Sequence, residues 1–176
     1  QASQQALKLM PPNEPLASVT FDAVGIAAVL RRIETNGHHV TWAAWDSTDR
    51  KSITTKHGMI VATRSLVQDL MSAEADGVLA LVRGRHAGTT PYALRYIDGN
   101  YDTIEEAYTC RVSRGTEQAV KLANGVVVPA VEMVSECSSQ SRQFVDRFMV
   151  DRSGRIVQMR QWVGPVLGFA DMALLR

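Results

Sequence analysis

The stretch Arg155-Ile-Val-Gln-Met-Arg-Gln-Trp-Val-Gly-Pro165 predicts a β-strand that ends abruptly. Apolar residues are mixed with Gln158, Arg160 and Gln161, and Gly164-Pro165 stops the strand because proline has no amide hydrogen to donate. Upstream, Asp151-Arg-Ser-Gly154 is typical of a turn, and the segment Phe144–Val150 is typical of the strand before it. The sequence therefore predicts a hairpin near the C-terminus.

A second informative block lies in the first half of the chain. It runs Gly58-Met-Ile-Val-Ala-Thr-Arg-Ser-Leu66 and is followed by Asp69-Leu-Met71. Together the two blocks resemble the YjbF/GfcB family of bacterial lipoproteins, whose members carry G-x-[IL]-V-x-T-x-G-L-x-x-D-L and, later, G-x-I-x-x-[ST]-x-Q-W-[IV]-G-P. The resemblance covers roughly residues 20–170 and departs from the family pattern at Ser65, where glycine is expected, and at Met159, where a small hydroxyl residue is expected.

The resemblance implies a location and a role. The family is tied to exopolysaccharide and group 4 capsule secretion, so the chain is expected on the periplasmic side of the bacterial outer membrane. A signal peptide and a lipid-bearing cysteine are expected before Gln1, and this lipid would be the sole membrane attachment. The expected partners are the exopolysaccharide or the outer-membrane β-barrel protein that accompanies the family.

Composition is that of an ordinary globular domain. The 176 residues are 45% hydrophobic and 21% charged, and no apolar run approaches the ~20 residues of a membrane helix. The net charge of +1 gives no support for nucleic-acid binding. Arginine supplies 15 of the 19 basic residues, which reflects either base composition of the genome or a surface for acidic ligands.

The two cysteines, Cys110 and Cys137, fall in different predicted strands. From the residues alone, a disulfide and two buried free thiols are both open, since the pattern matches no zinc site. The periplasmic address implied by the family favours the disulfide.

Residues 1–18 are predicted to be a flexible tether, because Pro11, Pro12 and Pro15 interrupt regular structure. Residues 19–176 are predicted to form one domain of about ten short strands. Asn36-Gly37 and Asn124-Gly125 mark two tight hairpins. Pro129 places its strand at an edge or bulge.

Helical spacing appears around residues 67–71 and 73–82, with Ser72 as a candidate N-cap and Gly84 as a stop. The predicted fold is therefore all-β with one or two short helices, an antiparallel meander that forms a curved sheet or incomplete β-barrel.

Catalytic signatures are not apparent. The chain has no Gly-x-Ser-x-Gly elbow and no glycine-rich loop that opens a helix. His38 and His39 would point to opposite faces of a strand, so no metal site is predicted, and no cofactor. Glu105 and Glu106 likewise alternate across a strand and cannot pair as glycosidase carboxylates do. We expect a non-enzyme.

The candidate ligand- or partner-binding residues come from the two family blocks: Arg64, Asp69, Arg160, Gln161 and Trp162. Trp42, Trp45 and Trp162 offer ring faces to a sugar, although Trp162 would equally serve as a core plug. If Trp162 points inward, period-two alternation directs Arg160 inward and Gln161 outward. An inward Arg160 would then pair with Asp69, and the alternative is an arginine whose head reaches solvent at the barrel rim.

Three functions remain open at this point. The first is a non-catalytic accessory lipoprotein that binds polysaccharide or docks to the outer-membrane β-barrel protein. The second is a polysaccharide-modifying enzyme, and the third is a lipid or lipoprotein carrier. A filled barrel with an exposed edge favours docking, a polar groove with paired carboxylates favours the enzyme, and an apolar pocket favours the carrier.

Overall fold

The computed structural model describes all 176 residues and contains two short helices and twelve strands. In chain order these are α1 (Ala2–Leu9), β1 (Leu16–Phe21), β2 (Ile26–Asn36), β3 (His39–Ala44), β4 (Ser52–Lys56), β5 (Met59–Arg64), β6 (Leu70–Glu74), α2 (Asp76–Gly84), β7 (Gly88–Ile97), β8 (Thr103–Lys121), β9 (Val127–Ser138), β10 (Gln143–Asp151), β11 (Ile156–Trp162) and β12 (Phe169–Leu174).

All twelve strands belong to one antiparallel sheet in the order β5-β4-β3-β2-β1-β12-β11-β10-β9-β8-β7-β6. Every neighbour in this order is also a neighbour in the sequence except β1 and β12, which pair from Ala17–Leu174 to Phe21–Ala170. The sheet curls into a barrel that is nearly closed, with one unsealed seam between the edge strands β5 and β6. The predicted fold class, an incomplete antiparallel barrel with one or two helices, is confirmed.

The hairpin turns lie where the sequence places them. Asn36-Gly37 joins β2 to β3, and Asn124-Gly125 joins β8 to β9. Pro129 sits in β9 beside Ala119 but beyond the residues that pair with β10, so it occupies an edge as predicted.

The two family glycines adopt backbone conformations that side chains avoid. Gly58, between β4 and β5, has φ +90°, and a Cβ there would lie 3.1 Å from the Cβ of Ile156. Gly154, in the turn before β11, has φ +84°, and a Cβ there would lie 2.9 Å from the carbonyl oxygen of Arg83. Both positions therefore require glycine for conformation and for close approach.

Several boundaries differ from the sequence prediction. The segment from Phe21 to Glu34, which is mostly apolar and favours one strand, is interrupted near its start, because a 3₁₀ turn at Asp22–Val24 and a left-handed Gly25 reverse the chain between β1 and β2. Helix α2 begins at Asp76, not near Val67, because the preceding residues extend as β6 and pair with β7. Strand β12 was not predicted, and it lies between β1 and β11 in the sheet.

Cys110 and Cys137 form a disulfide, as the family resemblance implies. They lie directly opposite each other on β8 and β9, so the bond crosses adjacent strands inside the barrel. Both residues are buried in the main core.

The barrel interior is filled by side chains. The main core is one cluster of 31 buried residues drawn from all twelve strands and from helix α2. Its fully buried members include Phe21, Phe148, Met59, Ile60, Leu70 and Leu94. Helix α2 contributes Val78, Leu79 and Val82 to this cluster, so the helix closes part of the barrel.

The expectation of an irregular tail at residues 1–18 is wrong for Ala2–Leu9, which form α1. Ala6 is fully buried and packs in a small cluster with Leu16, Val29 and Leu175 on the outside of the barrel. The predicted boundary at residue 18 falls inside β1, which already begins at Leu16. The prolines do interrupt the chain, but only between α1 and β1.

Candidate functional site

Arg160 lies on the outer surface of β11. Its guanidinium donates to the Asp171 carboxylate of β12 at 2.6 Å and stacks 4.4 Å above the ring of Phe169. The prediction of an inward Arg160 paired with Asp69 is therefore wrong, because Met159 and Gln161 are the inward residues of this strand. The half-exposed ion pair contributes little to stability, since solvent screens it.

Gln161 is completely buried, although alternation from Trp162 predicted that it would point outward. Its amide makes two hydrogen bonds across the barrel to the backbone of Ile60 on the edge strand β5. The Ile60 N–H donates to Oε1 at 2.9 Å, and Nε2 donates to the Ile60 carbonyl at 2.8 Å. The Gln161 amide thus gives Ile60 the hydrogen-bond donor and acceptor that a neighbouring strand would give. It does so on β5, an edge strand that has no neighbouring strand on this side.

Trp162 is buried, as a core plug would be. Its ring stacks on Phe144 with centroids 4.9 Å apart, and the guanidinium of Arg142 lies 4.7 Å from its ring centroid on the side near solvent. Pairing between β10 and β11 ends at Arg147–Arg160, and beyond it the Trp162 N–H donates to Asp146 Oδ1 at 2.8 Å. The Trp162 ring therefore departs from strict alternation at the point where the pairing between β10 and β11 ends.

Asp69 holds the turn between β5 and β6. Its carboxylate accepts hydrogen bonds from Thr63 Oγ1 at 2.9 Å and from the backbone N–H groups of Ser65 and Leu66. Thr63 Oγ1 in turn accepts the N–H of Leu70 at 3.0 Å. Ser65 has φ +63°, a left-handed conformation that explains why family members are expected to carry glycine there.

Arg64 lies at the same end of the seam. Its guanidinium donates to the carbonyl oxygens of Thr63 at 2.7 Å and Leu70 at 3.3 Å, which belong to the two edge strands. Arg64 and Asp69 are therefore brought together at one end of the seam, whereas Arg160 lies on a different wall of the barrel.

A carboxyl group that sequence reasoning missed lies in the core. Asp146 is 1% exposed, and burial raises its pKa well above the usual range, although the hydrogen bond from the Trp162 N–H partly opposes this. The hydroxyl of Tyr92 is also buried and makes no hydrogen bond. Burial, followed by the nearby charge of Asp146, raises the pKa of Tyr92. The one sequence signal for a buried Asp146 was the alternation along β10, which places Asp146 on the same face as Phe144 and Phe148.

A second cluster of polar side chains surrounds Glu106 at the barrel wall. Tyr96 and Tyr108 donate their hydroxyls to its carboxylate, and Arg142 forms an ion pair with it at 3.3 Å. Partial burial acts to raise the pKa of Glu106, but the hydrogen bonds from Tyr108 and Tyr96 and the charge of Arg142 lower it overall. Its neighbour Glu105 points to the other face and pairs with Arg95, so the two carboxylates do not share a site.

The largest concavity of the molecule runs along the seam, and we call it the seam groove. It has a volume of about 820 Å³ and is lined by edge-strand residues from both sides, including Val61 and Ala62 of β5 and Ser72 and Ala73 of β6. The two walls differ in charge. The β4–β5 wall carries Lys56 and Arg64, and the opposite wall carries Glu74, Asp76 and Glu105.

One ion pair crosses the seam groove. Lys56 Nζ at the end of β4 lies 2.7 Å from Asp76 Oδ1 at the start of α2. The Asp76 side chain is 84% exposed, so solvent screens the pair and a competing ligand could displace it at small cost. The residues that line the seam groove, apart from Arg64, were not predicted as candidate binding residues. They come together only because β5 and β6 form the two edges of one sheet that curls into a barrel.

Two other observations bear on chemistry. His38 and His57 stack at the ends of neighbouring hairpins with ring centroids 4.1 Å apart, and no group of three or more potential metal ligands occurs. Burial, followed by the positive charge of Arg83, lowers the pKa of His57. Neither helix is long and apolar enough to cross a membrane.

These features define a class, the nearly closed antiparallel barrel with a filled core, whose seam is held by a buried glutamine and an Asp–Thr turn. The chain belongs to the YjbF family, described as group 4 capsule polysaccharide lipoproteins, whose family model matches residues 1–175. Its members are associated with the cell envelope. A comparison with curated protein sequences finds no match.

Two solved structures resemble this chain to very different degrees. The lipoprotein YmcC from Escherichia coli K12, described as hypothetical, superposes with a TM-score of 0.80 at 16% identity, over 99% of this chain and 88% of that one. An exported protein from Bacteroides fragilis, described as having a YmcC-like fold, aligns over 93% of both chains at 14% identity with a TM-score of 0.34. The YmcC match shows that the two chains share a fold.

Proposed function

We propose that this protein is a non-catalytic accessory lipoprotein of capsule or exopolysaccharide export on the periplasmic side of the outer membrane. In this proposal it docks, through its open seam, to the outer-membrane β-barrel protein of the export system. The observation that carries the proposal is the combination of a filled barrel interior with two edge strands, β5 and β6, that have no neighbouring strand across the seam. At Ile60 the Gln161 side chain already occupies the backbone groups of β5, so docking uses the edge beyond that residue.

The interior supports docking over catalysis. The buried polar side chains contact the protein's own backbone, as Gln161 contacts Ile60 and Asp146 contacts Trp162. The carboxylates considered for catalysis are also engaged, Glu105 with Arg95 and Glu106 with Arg142. A hydrolase of polysaccharide needs two carboxyl groups that face one cleft, and these two point to opposite faces.

The seam supports the mode of docking. A sheet edge presents backbone N–H and C=O groups that an extended segment of another protein can pair with, a mode known as strand addition. The seam groove has an edge on either side, and its floor of small residues, Ala62, Ala73, Ala93 and Ala107, lets a backbone approach closely. The opposite charges of the two walls would fix the orientation of an inserted strand.

Polysaccharide binding has separate support and is the second candidate. A groove of about 570 Å³ on the outer wall is lined by Arg147, Gln158 and Arg160, with Gln118 and Lys121 of the β8–β9 hairpin opposite. Such planar polar side chains suit sugar hydroxyls and acidic sugars. Arg147 and Arg160 are each paired with an acidic residue, Glu132 and Asp171, so a polymer would have to share them.

Co-purification tests the two candidates side by side. The chain is expressed with the outer-membrane β-barrel protein of its export system, and separately mixed with purified polymer. We expect Ala62→Lys and Ala73→Lys, which place charged side chains at the seam, to abolish co-purification with the barrel protein. The matched control for the barrel protein is Ala119→Lys, which alters an exposed alanine of β8 outside the seam groove. Because Ala119 lines the outer-wall groove, this variant is not used with the polymer.

The outcomes separate the candidates. Loss of the barrel protein with both seam variants, and its retention with Ala119→Lys, supports docking. Retention of the barrel protein by every variant would show that the seam is not the interface. If the wild-type chain retains polymer but not the barrel protein, and Arg160→Ala releases the polymer, the polysaccharide role replaces docking.

A further inference from the structure

An apolar pocket opens at the end of the barrel where β3 stops short of β2. Strand β2 pairs with β1 from Ile26 onward, but β3 covers β2 only from Leu30, opposite Ala44. The uncovered start of β2 forms one side of a pocket of about 300 Å³, and 13 of its 17 lining residues are hydrophobic. We call this the apolar pocket, with Phe21, Ile26, Leu30, Trp42 and Leu66 as its walls.

The walls offer a ligand almost no hydrogen bonds. Phe21, Leu30 and Trp42 are buried members of the main core, and the indole N–H of Trp42 is already bonded to Thr55 at 3.1 Å. A sugar or peptide placed here would lose its hydrogen bonds to water without replacement. The volume lies at the low end of the range for ligand pockets, which suits one unbranched chain.

The charged residues that line the apolar pocket lie together in the loop that follows β3. They are Asp46, Asp49 and Lys51, and Lys51 Nζ lies 3.6 Å from Asp49. That pair is neutral and Arg50 of the same loop offsets Asp46, so the rim offers no net charge to attract an ionic head group. The arrangement therefore matches an apolar chain with a neutral polar head.

From these observations we infer that the apolar pocket binds a single fatty acyl chain whose neutral head group remains at the charged rim. Ala2 of α1 also lines the pocket, so an acyl group attached next to Ala2 would lie at its mouth. The family is one of lipoproteins, which gives two sources of the same chemistry, the protein's own lipid or a lipid of another molecule. The site is separate from the seam groove and independent of docking there.

The test uses monoacylglycerols of 8 to 14 carbons, which share a neutral head and differ only in chain length. Trp42 and Trp45 line the pocket, so tryptophan fluorescence reports binding directly. Each added methylene should tighten the dissociation constant about fourfold until the pocket is full. A dissociation constant that does not depend on chain length, or no binding at all, would overturn the inference.

Two alanines of β3 provide a matched pair of variants. Ala44 lines the apolar pocket, whereas its neighbour Ala43 points to the opposite face of the same strand. Ala44→Leu should weaken binding of monododecanoylglycerol at least tenfold, and Ala43→Leu should leave it unchanged. Ala28→Leu, which narrows the pocket from β2, replaces Ala44→Leu if that variant fails to fold. Wild-type binding by both pocket variants would refute the site.

A final experiment identifies the source of the bound acyl chain. The same protein carrying a dodecanoyl group coupled to the amine of Gln1 is titrated with monododecanoylglycerol. If the coupled form no longer takes up the lipid while the uncoupled form does, the pocket holds the protein's own acyl group. If both forms bind equally, the pocket takes lipid from another molecule, and either result supports an acyl-chain site.

Discussion

Replacing Gln161 by methionine removes both hydrogen bonds to the edge strand while keeping the length of the side chain. The Ile60 N–H and carbonyl, bonded at 2.9 Å and 2.8 Å in the wild type, are then left buried without partners. Each orphaned backbone group costs about 1–3 kcal/mol. Part of this is regained because a thioether is easier to bury than an amide, so we expect a net loss of about 2–4 kcal/mol in the free energy of unfolding.

Urea unfolding of the wild type, Gln161→Met and Gln158→Met measures this loss. Gln158 is exposed on the opposite face of β11, so its replacement should change the free energy of unfolding by no more than about 0.5 kcal/mol. Amide hydrogen exchange at Ile60 should accelerate in Gln161→Met alone. If Gln161→Met is as stable as Gln158→Met and Ile60 stays protected, the glutamine does not substitute for a neighbouring strand, and the account of the seam fails.

Three further predictions concern the core. Reduction of the Cys110–Cys137 disulfide, which closes a separation of 27 residues, should lower the free energy of unfolding by about 3–4 kcal/mol in denaturant titrations with and without reductant. Trp162→Ala should cost about 3–5 kcal/mol, because it empties the stack on Phe144; a variant of wild-type stability that loses partner or polymer binding would instead assign Trp162 to recognition. The raised pKa of Asp146 means that the folded state holds its proton more tightly than the unfolded state, so this residue's contribution to stability is complete below about pH 4 and declines as pH rises. Asp146→Asn should therefore gain stability relative to the wild type between pH 4 and pH 8, and a difference that does not vary with pH would contradict the assignment.

Local signals predicted the elements that local chemistry determines. Asn36-Gly37 and Asn124-Gly125 each produced a hairpin, and the turn at Asp151–Gly154 was also placed correctly. In that turn the Asp151 carboxylate accepts the backbone N–H groups of Ser153 and Arg155, a contact encoded within five residues. Elements of this kind need no knowledge of distant parts of the chain.

Elements that depend on distant partners were missed. Helix α1 exists because Ala6 packs against Leu16 and Val29, which a reading of its own sequence cannot reveal. Strand β12 is defined by its pairing with β1, about 150 residues away in the chain. Tertiary pairing of this type overrides weak local propensity.

The family blocks supplied the candidate residues, and the structure gives several of them contacts other than those expected. Gln161 and Trp162 were expected on opposite faces, and both are buried, because pairing with β10 ends at Arg160 and Asp146 takes the Trp162 N–H. Asp69 was expected to meet Arg160 and instead binds Thr63 and the backbone of its own turn. Period-two reasoning holds where a strand is paired on both sides, and here β11 keeps its pairing with β12 but loses its pairing with β10.

The pairing of the first strand with the last has a consequence for how the chain could be rearranged. Arg176 donates to the carbonyl oxygens of Glu14 and Leu7, so residue 176 lies beside the segment that leads into β1. A circular permutant that joins residue 176 to this segment and opens the chain between β5 and β6 would read β6 through β12 and then β1 through β5. Every hydrogen-bonded strand pair would then be adjacent along the chain, and the long-range closure would move from the β1–β12 pair to the contacts between β5 and β6 across the seam.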